Sequence, residues 1–206
     1  MSDVEVEEIT SEGQRCELSE GPHWDVARQS LYYVDIAAPA ILRYDFKTKE
    51  IYKATIKDDD SPLGFISPVE GKSDEFIVGA KRQILLIRWD GKSGQASMIK
   101  VLQEVDQANP TNRINDGKVD PYGKIFFGTM GDEDNFDLSK TRVGTFYSYF
   151  SPGPQAVSPP LKPLKGYVGI SNGLTWDVER KKFYYIDSVT RDIKVYNYDE
   201  HSNICE

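Results

Sequence analysis

Residues 20–46 read EGPHWDVARQSLYYVDIAAPAILRYDF, and residues 172–198 read NGLTWDVERKKFYYIDSVTRDIKVYNY. The two align without a gap at a constant offset of 152, and ten of the 27 positions are identical. Gly21/Gly173, Trp24/Trp176, Asp25/Asp177, Tyr32/Tyr184, Tyr33/Tyr185 and Asp35/Asp187 are among them. Similarity at a fixed offset marks copies of one supersecondary unit. Two weaker copies lie between. Residues 75–79 (EFIVG) and 124–128 (KIFFG) resemble the LYYVD and FYYID runs, and each is followed by a second apolar run, at 84–89 and 145–150. Run starts near 31, 75, 124 and 183 make the offset span three repeats of about 50 residues each, a propeller-like period.

The chemistry of these runs agrees. They are rich in Tyr, Phe, Ile and Val, which suit a pleated surface. Turn formers separate them: Asp90-Gly91, Asp116-Gly117, Pro121-Tyr122-Gly123 and Ser151-Pro152-Gly153-Pro154. No segment carries a sustained 3.6-residue apolar period with caps. The expectation is an all-β chain, a single incomplete β-propeller domain over residues 1–206. About four blades should be present, with repeats near 15–60, 61–105, 106–160 and 161–206. Residues 4–9 (VEVEEI) alternate and read as a further strand, of the kind that completes the last blade in many propellers.

Composition limits the function classes. The 206 residues are 39% hydrophobic and 28% charged, with a net charge of −8. An acidic surface repels phosphate backbones and argues against nucleic acid. No apolar stretch is long enough to span a bilayer, and the polar start lacks a signal-peptide core, so no membrane partner and a cytoplasmic location are expected. Cys16 and Cys205, far apart in sequence, are expected as reduced thiols.

The repeat directs the search for chemistry. Glu20 and its counterpart Asn172 each precede a glycine at the head of a repeat. Equivalent positions in a propeller share radius and height, so both should face the axis. The third copy offers Asp116 before Gly117, with Asn115 beside it; in the second copy Glu70-Gly71 lies too close to its strand to match. Carboxylate and amide oxygens are hard ligands suited to Ca²⁺, Mg²⁺ or Mn²⁺, with Zn²⁺ also admissible. No His or Cys stands at ligand spacing for structural zinc. Against this, Asp, Asn and Gly before a strand also form turns with no function. Arg113 offers a planar fork for a carboxylate or polyol oxygens within the charged run 112–121, which could equally be a solvated loop. His23 reads as a rim residue and His201 as surface. The paired tyrosines, Trp24 and Trp176 read as repeat packing. Serine elbows, phosphate loops and EF-hand loops are absent.

Three segments carry a resemblance: residues 19–24 (SEGPHW), residues 112–118 (NRINDGK) with Gly128-Thr129-Met130, and residues 170–174 (ISNGL). In order and spacing they resemble signatures of the regucalcin, senescence-marker-protein and gluconolactonase family. The runs 21–25 and 87–91 are most similar to its insect branch, which includes luciferin-regenerating enzyme. The resemblance implies a six-bladed propeller with one divalent metal on its axis, Ca²⁺ foremost and Zn²⁺, Mn²⁺ or Mg²⁺ as alternatives. It makes Glu20 and Asn172 metal ligands and sets Arg113, Asn115 and Glu133 against a small-molecule lactone. The implied function is metal-dependent hydrolysis of a sugar lactone together with calcium binding. A non-enzymatic calcium-binding regulatory protein and a luciferin-regenerating-type hydrolase remain alternatives, and oligomeric state is open. The resemblance assigns the general base, also a metal ligand, to an Asp in a Pro-Asp-Gly turn of a fifth blade. No such run occurs in residues 1–206. No catalytic base is therefore assigned, and weak or no activity is expected of this chain alone.

Overall fold

The computed structural model describes residues 4–9, 15–132, 137–138, 140–150 and 161–205, the side chain of Cys205 excepted. Among the described residues sixteen strands form four antiparallel meanders of four. The first is β1 (Ser19–Asp25), β2 (Ser30–Asp35), β3 (Ala40–Asp45) and β4 (Ile51–Ile56). The second is β5 (Leu63–Pro68), β6 (Glu75–Ala80), β7 (Gln83–Arg88) and β8 (Gln95–Glu104). The third is β9 (Arg113–Val119), β10 (Ile125–Met130), β11 (Gly144–Tyr149) and β12 (Lys162–Val168). The last is β13 (Ser171–Asp177), β14 (Lys182–Asp187), β15 (Asp192–Tyr198) and β16 (Ile204–Cys205). A short parallel pairing of Thr55 with Gln95 and Ile56 with Ala96 fuses the outer edges of the first two. Among the described residues there is no helix, hence none long and apolar enough to cross a membrane. This is the all-β, four-bladed arrangement expected from the repeat, although the third blade takes in β12 and so runs on to Val168.

The blades pack face to face, and each contact buries its own apolar cluster. Tyr32, Val34, Ile41, Phe76, Ile87 and Trp89 lie between the first and second. Phe65, Ile84, Ile114, Phe127 and Tyr147 lie between the second and third. Phe126, Phe146, Leu174, Phe183 and Tyr185 lie between the third and fourth. Neighbouring residues of a strand point to opposite faces, so Phe126 and Phe127 serve different contacts and β10 is buried throughout.

The duplicated Tyr-Tyr pair shows how position overrides sequence. In β2 Tyr32 is 2% exposed and Tyr33 half-buried; in β14 the phase is reversed, with Tyr184 half-buried and Tyr185 0% exposed. Among the described blades the first packs by one face on the second and the fourth by one face on the third, and Ile9 lies beside Tyr33 on the first blade's other face. Tyr33 and Tyr184 therefore sit on opposite outer faces.

Two expectations need correction. Residues 4–9 form no strand and are exposed, with Val4 and Val6 both at 87%: their alternation finds no sheet edge to pair with. Trp176 packs on Phe126, Phe183 and Tyr198 as expected, but Trp24 is 43% exposed and meets only the edge of Phe46 among aromatic rings. Cys16 is a free thiol.

Candidate metal centre and substrate cavity

Each blade begins at the axis, and each first strand is bulged near its start. Gly21 and Pro22 oppose Tyr33 alone; Gly64, Asn115 and Gly173 are the extra residues in β5, β9 and β13. A bulge breaks the ladder, raises the twist and re-aims the side chains beside it. Here it lies next to Glu20, Asp116 and Asn172.

Two buried aspartates, identical in the repeat, fix the chain just before these positions. Asp35 accepts from the backbone N–H of Glu17 and Leu18, each at 3.1 Å, and of Ala38 at 3.2 Å. Asp187 accepts from Gly169 at 3.1 Å, Ile170 at 2.9 Å and Val189 at 3.3 Å. Glu20 follows two residues after Leu18, and Asn172 two residues after Ile170. A second identical pair closes the first turn of each end blade. The N–H of Arg28 donates to Asp25 at 3.0 Å and that of Arg180 to Asp177 at 2.9 Å, each backed by the same two residues' ion pair.

Two cavities share Glu20 and Asn172 as walls. One, of about 190 Å³, opens toward the starts of the first strands and adds Arg113 and Asn115. The other, of about 260 Å³, runs toward their ends and adds Asp116, His23, Lys118 and Ser67. Glu20 and Asn172 thus line both cavities, with the Arg113–Asn115 pair in one and Asp116 in the other. Glu133 lies outside the described residues. His201 is exposed, as expected, whereas His23 lines the axial cavity; burial lowers its pKa, Asp25 opposes that and Lys118 adds to it.

Hydrogen bonds orient the set. Arg113 donates to Asn115 Oδ1 at 2.8 Å, and Asn115 Nδ2 donates to the Ser171 carbonyl at 2.8 Å, joining the third blade to the fourth. Asn172 Nδ2 donates to Ser188 Oγ at 3.0 Å. Asp116 and Asn172 each accept from the N–H of the following glycine, at 2.7 and 3.1 Å. Burial pushes the Asp116 carboxyl up to about 6; the Gly117 N–H opposes this, Glu20 adds to it, and Lys118 opposes it.

The donors here are oxygens: the Glu20 and Asp116 carboxylates and the Asn172 amide oxygen. Among the described residues no group of three or more His, Cys, Asp or Glu side chains is placed to hold a metal ion. Such a mixed, hard set fits Ca²⁺ or another oxygen-seeking divalent ion.

Sequence reasoning missed the support behind Arg113. Asp106 accepts from Asn112 Nδ2 at 2.6 Å, Thr129 Oγ1 at 2.6 Å and the Tyr147 hydroxyl. Asn112 also donates to the Val143 carbonyl at 3.0 Å. Asn112 and Thr129 are fully buried, and Asn112 precedes the first residue of β9. Three chain segments are thereby tied to one carboxylate behind the Arg113 side of the smaller cavity.

The comparisons with known proteins follow this geometry. A profile of the SMP-30/Gluconolactonase/LRE-like region matches residues 18–206. Regucalcin of Bos taurus is 34% identical over 202 residues, which are 97% of this chain and 60% of that protein. A luciferin-regenerating enzyme superposes with a TM-score of 0.82 at 32% identity, covering 93% of this chain and 59% of that one. A calcium-binding protein, regucalcin, of Agrobacterium tumefaciens shares the fold at a TM-score of 0.71 and 16% identity, covering 92% and 57%. The chain therefore spans about 60% of the length of the regucalcins it matches. On the extent of the profile match and the identity to regucalcin, the chain belongs to the SMP-30/gluconolactonase/LRE-like family.

Proposed function

We propose that these blades hold a divalent cation, Ca²⁺ foremost, on the propeller axis and present it to a small lactone for hydrolysis. The observation that carries the reading is that Glu20 and Asn172 wall the same cavity as Arg113 and Asn115. Family membership supports it, since gluconolactonase stands in the family's own description. Glu20 and Asn172 are the proposed cation ligands. Asp116, which lines the larger cavity with them, adds negative charge that favours cation uptake once it is ionised. A bound divalent ion would polarise the ester carbonyl and lower the pKa of water. The Arg113 fork, steadied by Asn115, holds the oxygens of the substrate, and Asn115 locks that fork to the fourth blade through Ser171. Proton removal needs a carboxylate base on the substrate side, and we assign none within residues 1–206. A polypeptide of these residues alone should bind the ion and turn lactones over slowly.

The test is titration calorimetry with CaCl₂ on this chain and on Glu20→Gln, beside an assay on sugar lactones. Uptake of one ion per chain, weakened about 100-fold or more by Glu20→Gln, is expected, since even residues that merely support a ligand are worth about 10–100-fold. No uptake, or equal affinity in both proteins, removes the metal reading. A rate matching that of full-length relatives removes the slow-turnover reading.

A further inference from the structure

Asp106 lies in the segment that leads from the second blade into the third, between β8 and β9. Its backbone carbonyl accepts from Arg82 Nη1 at 3.3 Å and from the Asn109 N–H at 2.9 Å. Its carboxylate accepts from Asn112 Nδ2, Thr129 Oγ1 and the Tyr147 hydroxyl. Two of these donors flank Arg113. Asn112 precedes it in the chain, and Thr129 precedes Met130, the residue paired with Arg113 across the β9–β10 ladder. Asn112 is 0% exposed, and its Oδ1 has no hydrogen-bond partner among the described residues. Nδ2 alone therefore anchors that side chain, to Asp106 and to the Val143 carbonyl at 3.0 Å. Asn115 Oδ1 holds the far end of the Arg113 side chain, and Asp106 holds the chain from which it starts.

We propose that Asp106 is a positioning residue: it fixes the reach of Arg113 into the smaller cavity, and through Arg113 the affinity for the lactone, without taking part in holding the cation. The inference rests on the lactonase reading above. Between β8 and β9 the chain belongs to no strand, so turn bonds and these side-chain bonds are what hold it. Without the carboxylate, Asn112 Nδ2 keeps only the Val143 carbonyl, and two buried hydroxyl donors lose an acceptor. Buried donors left without acceptors shift or admit water. A shift at Asn112 passes to Arg113 through the peptide they share. Misplacing a group that orients a substrate by about 1 Å can cost about 100-fold. The cation side is built separately. Glu20 lies in β1 and Asn172 in β13, and their lead-ins are tied to Asp35 and Asp187 instead.

The test compares wild type with Asp106→Ala, Asp106→Asn and Asn112→Ala. Asn112→Ala cuts the same tether and also removes the unpartnered Oδ1, so it folds even if Asp106→Ala does not. Asp120→Ala is the control. Asp120 is likewise buried and accepts from Tyr122, Lys124 and Tyr198, but just beyond the far end of β9. Calorimetry measures CaCl₂ binding, and then binding of D-glucono-δ-lactam, a sugar-lactone mimic that does not hydrolyse, to the Ca²⁺-loaded chain. Nitrogen-15 relaxation measures the order of the Arg113 Nε–H bond in the free chain. Both alanine variants at the hub should weaken the lactam about tenfold or more. Their Ca²⁺ affinity should stay within about twofold of wild type, as for sites that share no partner. Their Arg113 order parameter should fall below about 0.6, the range of flexible groups. Asp106→Asn keeps an acceptor for Asn112 and Thr129 and should recover most of the loss, and Asp120→Ala should change neither lactam affinity nor Arg113 order. Arg113 order unchanged in the hub variants that fold overturns the inference. So does a parallel loss of Ca²⁺ affinity, or an equal lactam loss in Asp120→Ala, since either marks general destabilisation. Binding of the lactam by no protein, wild type included, removes the lactone reading; a fall in Arg113 order confined to the hub variants still supports Asp106 as the residue that holds Arg113.

Discussion

Replacing Asp35 by Asn should destabilise the chain by about 3 kcal/mol without changing its outline. The Asp35 side chain is 0% exposed, and its two oxygens accept from the N–H groups of Glu17, Leu18 and Ala38, with Lys53 Nζ at 3.3 Å. An amide keeps one acceptor and turns the other into a donor. If Oδ1 is retained, Leu18 and Ala38 keep a weakened neutral bond while the Glu17 N–H faces another N–H. A hydrogen bond to a charged group contributes about 1.5–3 kcal/mol, and a stranded N–H adds to the loss. For a domain of this size each kcal/mol lowers Tm by about 2–4 °C, so a fall of roughly 6–12 °C is expected. The sign with pH follows. Burial alone would raise the Asp35 pKa, but the N–H groups of Leu18, Ala38 and Glu17 together with Lys53 outweigh it, and the net shift is down from 3.8. A carboxyl lowered by folding contributes stability that is present above its unfolded value and is lost as pH falls through its folded one. Wild type and Asp35→Asn should differ at pH 7 and converge as pH is taken well below 3.8. Urea unfolding followed by tryptophan fluorescence at both pH values measures the gap. A difference under about 0.5 kcal/mol at pH 7, the range of a surface change, would refute the reasoning. So would a gap that persists undiminished in acid.

Two further outcomes are expected. Ser188→Ala removes the partner that holds Asn172 Nδ2 at 3.0 Å and should weaken Ca²⁺ binding about tenfold in calorimetry; unchanged affinity would show that Ser188 does not orient the amide. Gly128→Ala puts a Cβ 1.9 Å from Ser171 Oγ and 2.4 Å from Ser171 Cβ, where the third and fourth blades meet, and should cost about 1–3 kcal/mol. Gly94→Ala meets open space and should stay within about 0.5 kcal/mol of wild type, so equal melting temperatures for the two variants would contradict the close approach.

What could be read in the sequence was whatever does the same job in both end blades. Asp25 and Asp177 close the same turn with Arg28 and Arg180, and Asp35 and Asp187 tie down the same lead-in. Identical tasks preserve identical letters, and so the repeat and its strands could be aligned. The placement of Glu20 and Asn172 beside shared cavities was legible because their glycines mark two of the four bulges. The bulge at Asn115 was harder, since no glycine occupies the extra position and the pattern shifts by one residue before Gly117. The burial of Tyr32 but not Tyr184 could not be read at all, because it depends on which neighbour covers which face. Asp106 was equally hidden. Its bonds reach Thr129 and Tyr147, 23 and 41 residues away, and no local pattern announces a partner at that distance. Residues 4–9 alternate well enough for a strand, but alternation supplies only a face, and a strand also needs an edge.

The second blade shows why one copy of the repeat brings no carboxylate or amide side chain to the shared cavities. Its bulge residue is Gly64, and a Cβ there would lie 2.8 Å from the Ile114 carbonyl oxygen and 2.9 Å from that of Asn115. The blade thus comes up against the backbone of the neighbouring bulge, and only a residue without a side chain permits it. Phe65, next in line, fills the space under Gly79 and Gly117 instead of facing the cavity. A carboxylate at either place would widen the gap and release the Asn115 backbone from support. The amide of Asn115 would then lose its fixed reach to the Ser171 carbonyl, and with it the steadying of Arg113. Blade two therefore brings Ser67 to the larger cavity and backbone contact to the neighbouring bulge, and that contact favours one conformation there, the rigidity a binding group needs if its geometry is to hold within a fraction of an ångström.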